Sequence, residues 1–146
     1  MTVALKRCAD SNLVNDLAND PAIRPFIGGD ITQPLDLTAA VENPLNIVLM
    51  GDHGGFLMAW SAPGVFEVHT MIRPEGRGVW AAEAAALARD SMFDIYGATQ
   101  LWTRVEEGAD NVLAYAERGG MKRWGTAPFD LGGGERNYTI LELRAA

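Results

Sequence analysis

A single cysteine, Cys8, stands among the 146 residues, so no intramolecular disulfide forms and no zinc site can be built from several thiolates. Histidine is almost as scarce: His53 and His69 are the two, their spacing matches no metal-binding motif, and no metal is expected. Basic residues are outnumbered, twelve lysines and arginines against nineteen acids, for a formal charge of −7. That removes the basic footprint nucleic-acid binding needs, although a local patch for a small anion stays open. No apolar run approaches the ~20 residues of a membrane span. Residues 1–10 hold no uninterrupted apolar stretch of the kind that opens a secretory signal. No nucleic acid, no membrane and a reducing cytoplasm are the resulting expectations.

What is present suits a globular chain. A hydrophobic share of 48% with 21% charged residues excludes a disordered tail, a collagen-like chain and a coiled coil. The length fits one domain, residues 1–146, that buries about two-thirds of its unfolded surface. Residues 3–8 alternate as a first strand. Ser11 offers an N-cap to a helix with Leu13, Val14 and Leu17, which Asp20-Pro21 ends. Residues 25–34 read as a loop containing Gly28-Gly29, and 35–42 as a short helical turn. A meander follows, with strands over 46–50, 56–62 and 65–72 joined by Gly51-Asp52-His53-Gly54-Gly55 and by Pro63-Gly64.

The longest helical signal spans 79–93, with Trp80, Ala84, Leu87, Ala88 and Ser91 on one face. A strand over 99–105, a helix over 111–118 capped by Asp110 and stopped by Gly119-Gly120, and a strand over 138–143 complete the order. Strand–helix–strand units favour parallel crossovers, whereas the meander is antiparallel. The expected fold is therefore α/β (α+β): a mixed, mostly antiparallel central sheet of about six to seven strands with helices on both faces.

Residues 67–82 carry the chemistry. A strand enters the loop Arg73-Pro74-Glu75-Gly76-Arg77-Gly78, which opens directly into a helix. The first helical turn presents unpaired N–H groups and the positive end of the dipole. Arg77 adds a full charge, and Gly78 lets the backbone come close. That combination can hold a phosphate or pyrophosphate, though an ordinary strand-to-helix turn with a solvated arginine has the same text.

This segment resembles the GNAT superfamily of N-acetyltransferases, and within it the small acetyltransferase-like proteins of bacteriophages and prophages. There a strand runs into Pro-x-x-Arg-Gly-x-Gly-x-Gly/Ala and then a helix, and the loop binds the pyrophosphate of acetyl-coenzyme A. Pro74, Arg77, Gly78 and Ala82 match, and Trp80 stands where the middle glycine is usual. Downstream, Asn111, Ala114, Tyr115 and Gly120-Met121 resemble the superfamily's next helix and its Gly-Phe end. The helix is about two residues short, so alignment on Gly120 puts Ala116 rather than Tyr115 at the general-acid position.

The resemblance implies an acetyl-coenzyme A-dependent N-acetyltransferase acting on a small-molecule or peptide amine. Backbone groups of Met71 and Ile72 would hold the pantetheine arm. Gly76, Arg77, Gly78, Val79, Trp80, Ala81 and Ala82 would surround the pyrophosphate, with Asn111 as a further contact. Glu67 and His69 share a strand face, and either can take the proton of the attacking ammonium; alternatively they bond to each other. Tyr115 is either the acid for the departing thiolate or a core tyrosine with its hydroxyl at the surface. A homodimer is compatible with the chain. The rival reading is a non-catalytic phage or prophage accessory or virion-associated protein that keeps the fold.

Overall fold

In a computed structural model, which describes residues 2–146, seven strands form one sheet in the order β1-β2-β3-β4-β5-β7-β6. Met1, part of the 1–146 unit read from the sequence, lies outside the described residues. The strands are β1 (Lys6–Arg7), β2 (Ile47–Gly51), β3 (Gly54–Ala62), β4 (Val65–Ile72), β5 (Gln100–Glu106), β6 (Lys122–Asp130) and β7 (Glu135–Arg144). The helices are α1 (Ser11–Ala18), α2 (Thr38–Glu42), α3 (Val79–Asp94) and α4 (Asp110–Arg118). Every neighbouring pair is antiparallel except β4 with β5. The mixed sheet expected from the sequence is thus present. Among the described residues no helix is long and apolar enough to cross a membrane.

The two faces of the sheet build separate cores. Strand side chains alternate between faces. Val48, Leu57 and Met71 therefore meet Val14, Leu17 and Val41 of α1 and α2, while Leu49, Phe56 and Phe66 meet α3 on the other side. Helix α3 turns Trp80, Ala84, Ala88 and Met92 inward, one residue per turn, with Ala81 beside them. The three alanines keep this face flat and let the helix lie close to the sheet. Leu87 and Ser91, expected inside, are only half-buried; Met92 supplies the bulk instead.

Four other expectations change. The N-cap of α1 is Asp10, whose carboxylate accepts from the amides of Asn12 (3.0 Å) and Leu13 (3.2 Å), and Ser11 is the first helical residue. The cap of α4 is Ala109, and Asp110 lies inside the helix. The first strand shrinks to Lys6–Arg7, although Val3 and Leu5 still pack against the α3 core. β6 has no counterpart in the sequence reading. It is an edge strand that pairs with β7 alone, has a register shift between Arg123 and Gly125, carries Pro128, and shows no buried residue. An edge tolerates the proline that a central strand would reject.

Met92 is fully buried, so Met92→Ala should lower stability by about 2–5 kcal/mol. Leu87→Ala should cost clearly less. Urea denaturation of both variants checks this, and a larger loss from Leu87 would put the wrong helix face inward.

Candidate active site

β4 and β5 are parallel neighbours for a short distance only. Val65, Phe66 and Glu67 pair with Gln100, Leu101 and Trp102, after which β5 keeps its pairing with β7 while β4 runs on to Ile72. Just past the parting point the Thr103 hydroxyl donates to the Val68 carbonyl at 3.0 Å, a side chain in place of a backbone ladder bond. Backbone groups alternate in direction along a strand. Val68, Thr70 and Ile72 therefore turn theirs toward the gap, whereas Glu67, His69 and Met71 turn theirs toward β3 at Ala59, Leu57 and Gly55. Of the expected pair Met71 and Ile72, only Ile72 faces the gap; the Met71 side chain lies in the α1 core. Thr70, which sequence reasoning passed over, faces the gap as well. On the α3–α4 side the gap opens into a cavity of about 80 Å³, walled by Met58, Val68, Leu101, Val105, Tyr115 and Met121 among others.

At the far end of β4, Pro74–Gly76 makes one 3-10 turn before α3. Gly76 is held against the β2–β3 hairpin, where a Cβ would sit 2.3 Å from that of His53. Gly78 is the N-cap of α3 with φ 106°, a conformation only glycine adopts without strain, and it offers no side-chain cap. A Cβ there would meet nothing within 4 Å. The first bond into the helix is from the Ala82 amide to the Gly78 carbonyl at 3.0 Å. The amides of Val79, Trp80 and Ala81 thus open the helix with no backbone acceptor. The Trp80 ring is turned inward, edge-on to His53 (centroids 5.1 Å apart, planes at 83°), so its bulk lies in the core and its N–H stays at the helix start. Val79 and Ala82 are exposed.

Arg77 is engaged elsewhere. Its Nη2 donates to the Ala22 carbonyl at 2.7 Å, its Nε to the Ile72 carbonyl at 3.3 Å, and its guanidinium lies 5.6 Å from the Phe26 ring centroid.

On the opposite sheet face Glu67 is buried, and Arg104 grips it with two bonds, Nε to Oε2 at 2.8 Å and Nη2 to Oε1 at 3.1 Å. His69 Nε2 lies 3.3 Å from the same Oε1. Burial, the largest single influence, pushes the Glu67 carboxyl up; His69 and Arg104 together outweigh it and hold the group below its ordinary value. Glu67 is therefore ionised and a weak base, while His69 keeps Nδ1 for other partners. Arg104 lies against Trp102 (5.5 Å) and Phe129 (4.7 Å), and the Trp102 Nε1–H donates to Ser61 Oγ at 2.9 Å. Helices α1 and α2 cover β2 to β4 on this face and leave Trp102, Arg104 and Phe129 half-exposed.

Tyr115 reaches the gap from the other face. Its hydroxyl donates to the Ala81 carbonyl at 2.8 Å, and burial pushes the phenol well above its ordinary value. Ala116, the alternative position, lines the same cavity, and Asn111 is exposed in the first turn of α4. Glu67 and His69 are thus brought together and Tyr115 is set across the sheet from them. Arg104 escaped sequence reasoning because only the Glu67–Trp102 register brings it beside Glu67.

No family model matches the chain, and no curated protein matches it in sequence. Solved structures do match. A spermidine N-acetyltransferase from Vibrio cholerae, in complex with CoA and spermine, superposes with a TM-score of 0.80 at 14% identity, over 97% of this chain and 95% of that one. A probable acetyltransferase of the GNAT family from Chromobacterium violaceum superposes with a TM-score of 0.77 at 17% identity, over 99% of this chain and 83% of that one. The chain has the fold of the GNAT acetyltransferases, as the resemblance of residues 67–82 implied.

Arg104→Gln should destabilise the fold at pH 7 by about 2–3 kcal/mol, less than the ~3–5 of a fully buried pair because Arg104 keeps some solvent contact. Glu67 has a lowered pKa in the native protein, so its contribution is complete above the ordinary glutamate value of about 4.3 and fades as the pH falls through the native one. In the variant a proton neutralises the stranded carboxylate, so the gap to wild type should narrow in acid. Urea midpoints at pH 7 and pH 4 test this; an equal gap at both would clear Glu67 of the effect.

Proposed function

We propose that residues 1–146 act as one acetyl-coenzyme A-dependent N-acetyltransferase domain with a small amine as acceptor, working in a reducing cytoplasm. The observation that carries this reading is the parallel pair that parts after three residues and leads to an uncapped helix start. The donor supplies an activated acetyl thioester. The N–H groups of Val79, Trp80 and Ala81 suit its pyrophosphate, and Gly78 keeps the approach free of a side chain. Thr70 through its N–H and carbonyl, and Ile72 through its N–H, offer backbone groups to the two amides of the pantetheine arm, and the apolar cavity offers it a wall. The neighbour from Vibrio cholerae holds CoA in its structure.

Transfer forms a C–N bond from the neutral amine to the acetyl carbon and breaks the C–S bond; the ammonium proton must leave and the thiolate must gain one. His69 is the better proton acceptor of the strand pair. Glu67, ionised and clamped by Arg104, holds the Nε2 side of the imidazole and leaves Nδ1 for the proton. The carboxylates on the open face are each matched to an arginine: Glu67 to Arg104, Glu106 to Arg136 at 2.7 Å and Glu142 to Arg144 at 3.3 Å. A polycation finds no bare acid among them, which favours an acceptor with one amine over the spermine held by the neighbour.

The second reading, a phage-type accessory protein that keeps the fold without turnover, draws on Tyr115. A phenol with a raised pKa that already donates to Ala81 is a poor proton donor to a thiolate. Thiol release with a panel of mono-amines, polyamines and lysine peptides decides: CoA binding without release by any acceptor would favour the accessory role.

Val79→Pro removes one N–H at a position where proline suits a helix. Stability should hold, while calorimetry should show CoA binding weakened about tenfold or more, as for the loss of a charge-assisted hydrogen bond. Unchanged affinity would displace the pyrophosphate from the helix start. Separately, His69→Gln should lower kcat by ~10²–10⁴-fold with CoA affinity unchanged, and Glu67→Gln by less. The reverse order in steady-state assays would return the base to Glu67.

A further inference from the structure

Arg77 is the one cation that directly precedes the helix start, and the structure spends it on protein rather than leaving it free. Its Nη2 and Nε hold the carbonyls of Ala22 and Ile72, and its guanidinium lies over Phe26. Arg73, on the same loop, reaches Asp20 at 3.5 Å. Both contacts land on residues 20–26, the connection that follows α1. That connection contains Arg24, which is 7% exposed and satisfied entirely by backbone carbonyls: Ile27 at 2.7 Å, Gly28 at 3.3 Å, Asp30 at 2.7 Å and Gln33 at 3.1 Å. One buried guanidinium thus ties residues 27–33 into a single shape.

The tied loop rests on the β6–β7 turn. A Cβ on Gly28 would come within 2.6 Å of Leu131 Cδ1, and one on Gly29 within 2.8 Å of the Leu131 carbonyl oxygen, so the Leu131 side chain packs on Gly28 and its backbone meets Gly29. Two residues before Leu131 stands Phe129, whose ring lies against Arg104, the partner of Glu67. A continuous set of contacts therefore runs from the helix-start loop, through residues 20–33 and the β6–β7 turn, to the open face that carries Glu67 and His69.

We infer that Arg77 is a positioning residue for the acceptor side of the site, and not a ligand of the donor's phosphates. This rests on the acetyltransferase reading. A lysine in its place keeps the positive charge that an anion needs, but it cannot hold two diverging carbonyls with a planar fork. Phe26→Ala loosens the same clamp from the far side at an exposed ring and changes no residue of the helix-start loop.

The test compares wild type, Arg77→Lys, Arg77→Gln and Phe26→Ala by amide hydrogen exchange over residues 27–33, by CoA calorimetry, and by acceptor kinetics. In the free protein, exchange over 27–33 should rise about tenfold or more in both Arg77 variants and rise in Phe26→Ala. CoA affinity should stay within about threefold, and acceptor KM should climb about tenfold with kcat little changed. Unchanged exchange in the Arg77 variants would overturn the inference. So would CoA binding that Arg77→Gln weakens tenfold and Arg77→Lys restores, for that pattern belongs to a phosphate ligand. If wild type binds no CoA, the acetyltransferase reading falls and the catalytic half of the inference falls with it, while the exchange arm still decides the clamp.

Discussion

Two side chains at the point where β4 and β5 part hold the rest of the site in place. Thr103 bonds the Val68 carbonyl on one sheet face, and the next residue along β5, Arg104, grips Glu67 on the other. A buried carbonyl left bare would cost about 1–3 kcal/mol. A gap in a sheet is an unfavourable feature unless its first groups are satisfied; Thr103 satisfies the Val68 carbonyl and Arg104 the buried Glu67 carboxylate. Beyond them β4 is free to present backbone groups sideways while remaining fully paired with β3. The gap can therefore exist without loosening the sheet that contains it.

The two cores give this gap unlike walls. On the α3 side the lining is apolar and the helix lies close, because alanine occupies its inner face. On the other side α1 and α2 stop short of β5, β7 and β6, and the exposed sheet carries paired charges set among aromatic rings. On the proposed acetyltransferase reading, a long, partly apolar donor suits the first wall, and a charged amine that must shed a proton suits the second. The division follows from strand alternation: Val68 and Thr70 point one way, Glu67 and His69 the other.

Much of this was legible in residue order. The β-branched and aromatic run of β4, the glycine-bounded hairpin before it and the loop-to-helix text at residues 73–82 placed the central strands and the helix start. The edge strand was not legible: with Pro128 inside it and polar residues along it, β6 lacks the alternation that marks a half-buried strand. The inner face of α3 was misjudged because a half-buried leucine outweighs alanines in any apolar count. Arg104 and Arg24 were invisible for a deeper reason. One depends on a strand register that joins positions 37 apart, the other on a loop whose carbonyls converge only after folding.

The inward turn of Trp80 separates the backbone donors of the helix start from the identity of the side chain beside them. Three amides open the helix whether the second helical residue is glycine or tryptophan, provided the side chain finds room beside His53. A requirement for backbone donors alone leaves that side chain free to vary wherever the core can absorb its volume. Two chains can thus present the same row of amides without sharing a glycine signature, alike in shape and unlike in text.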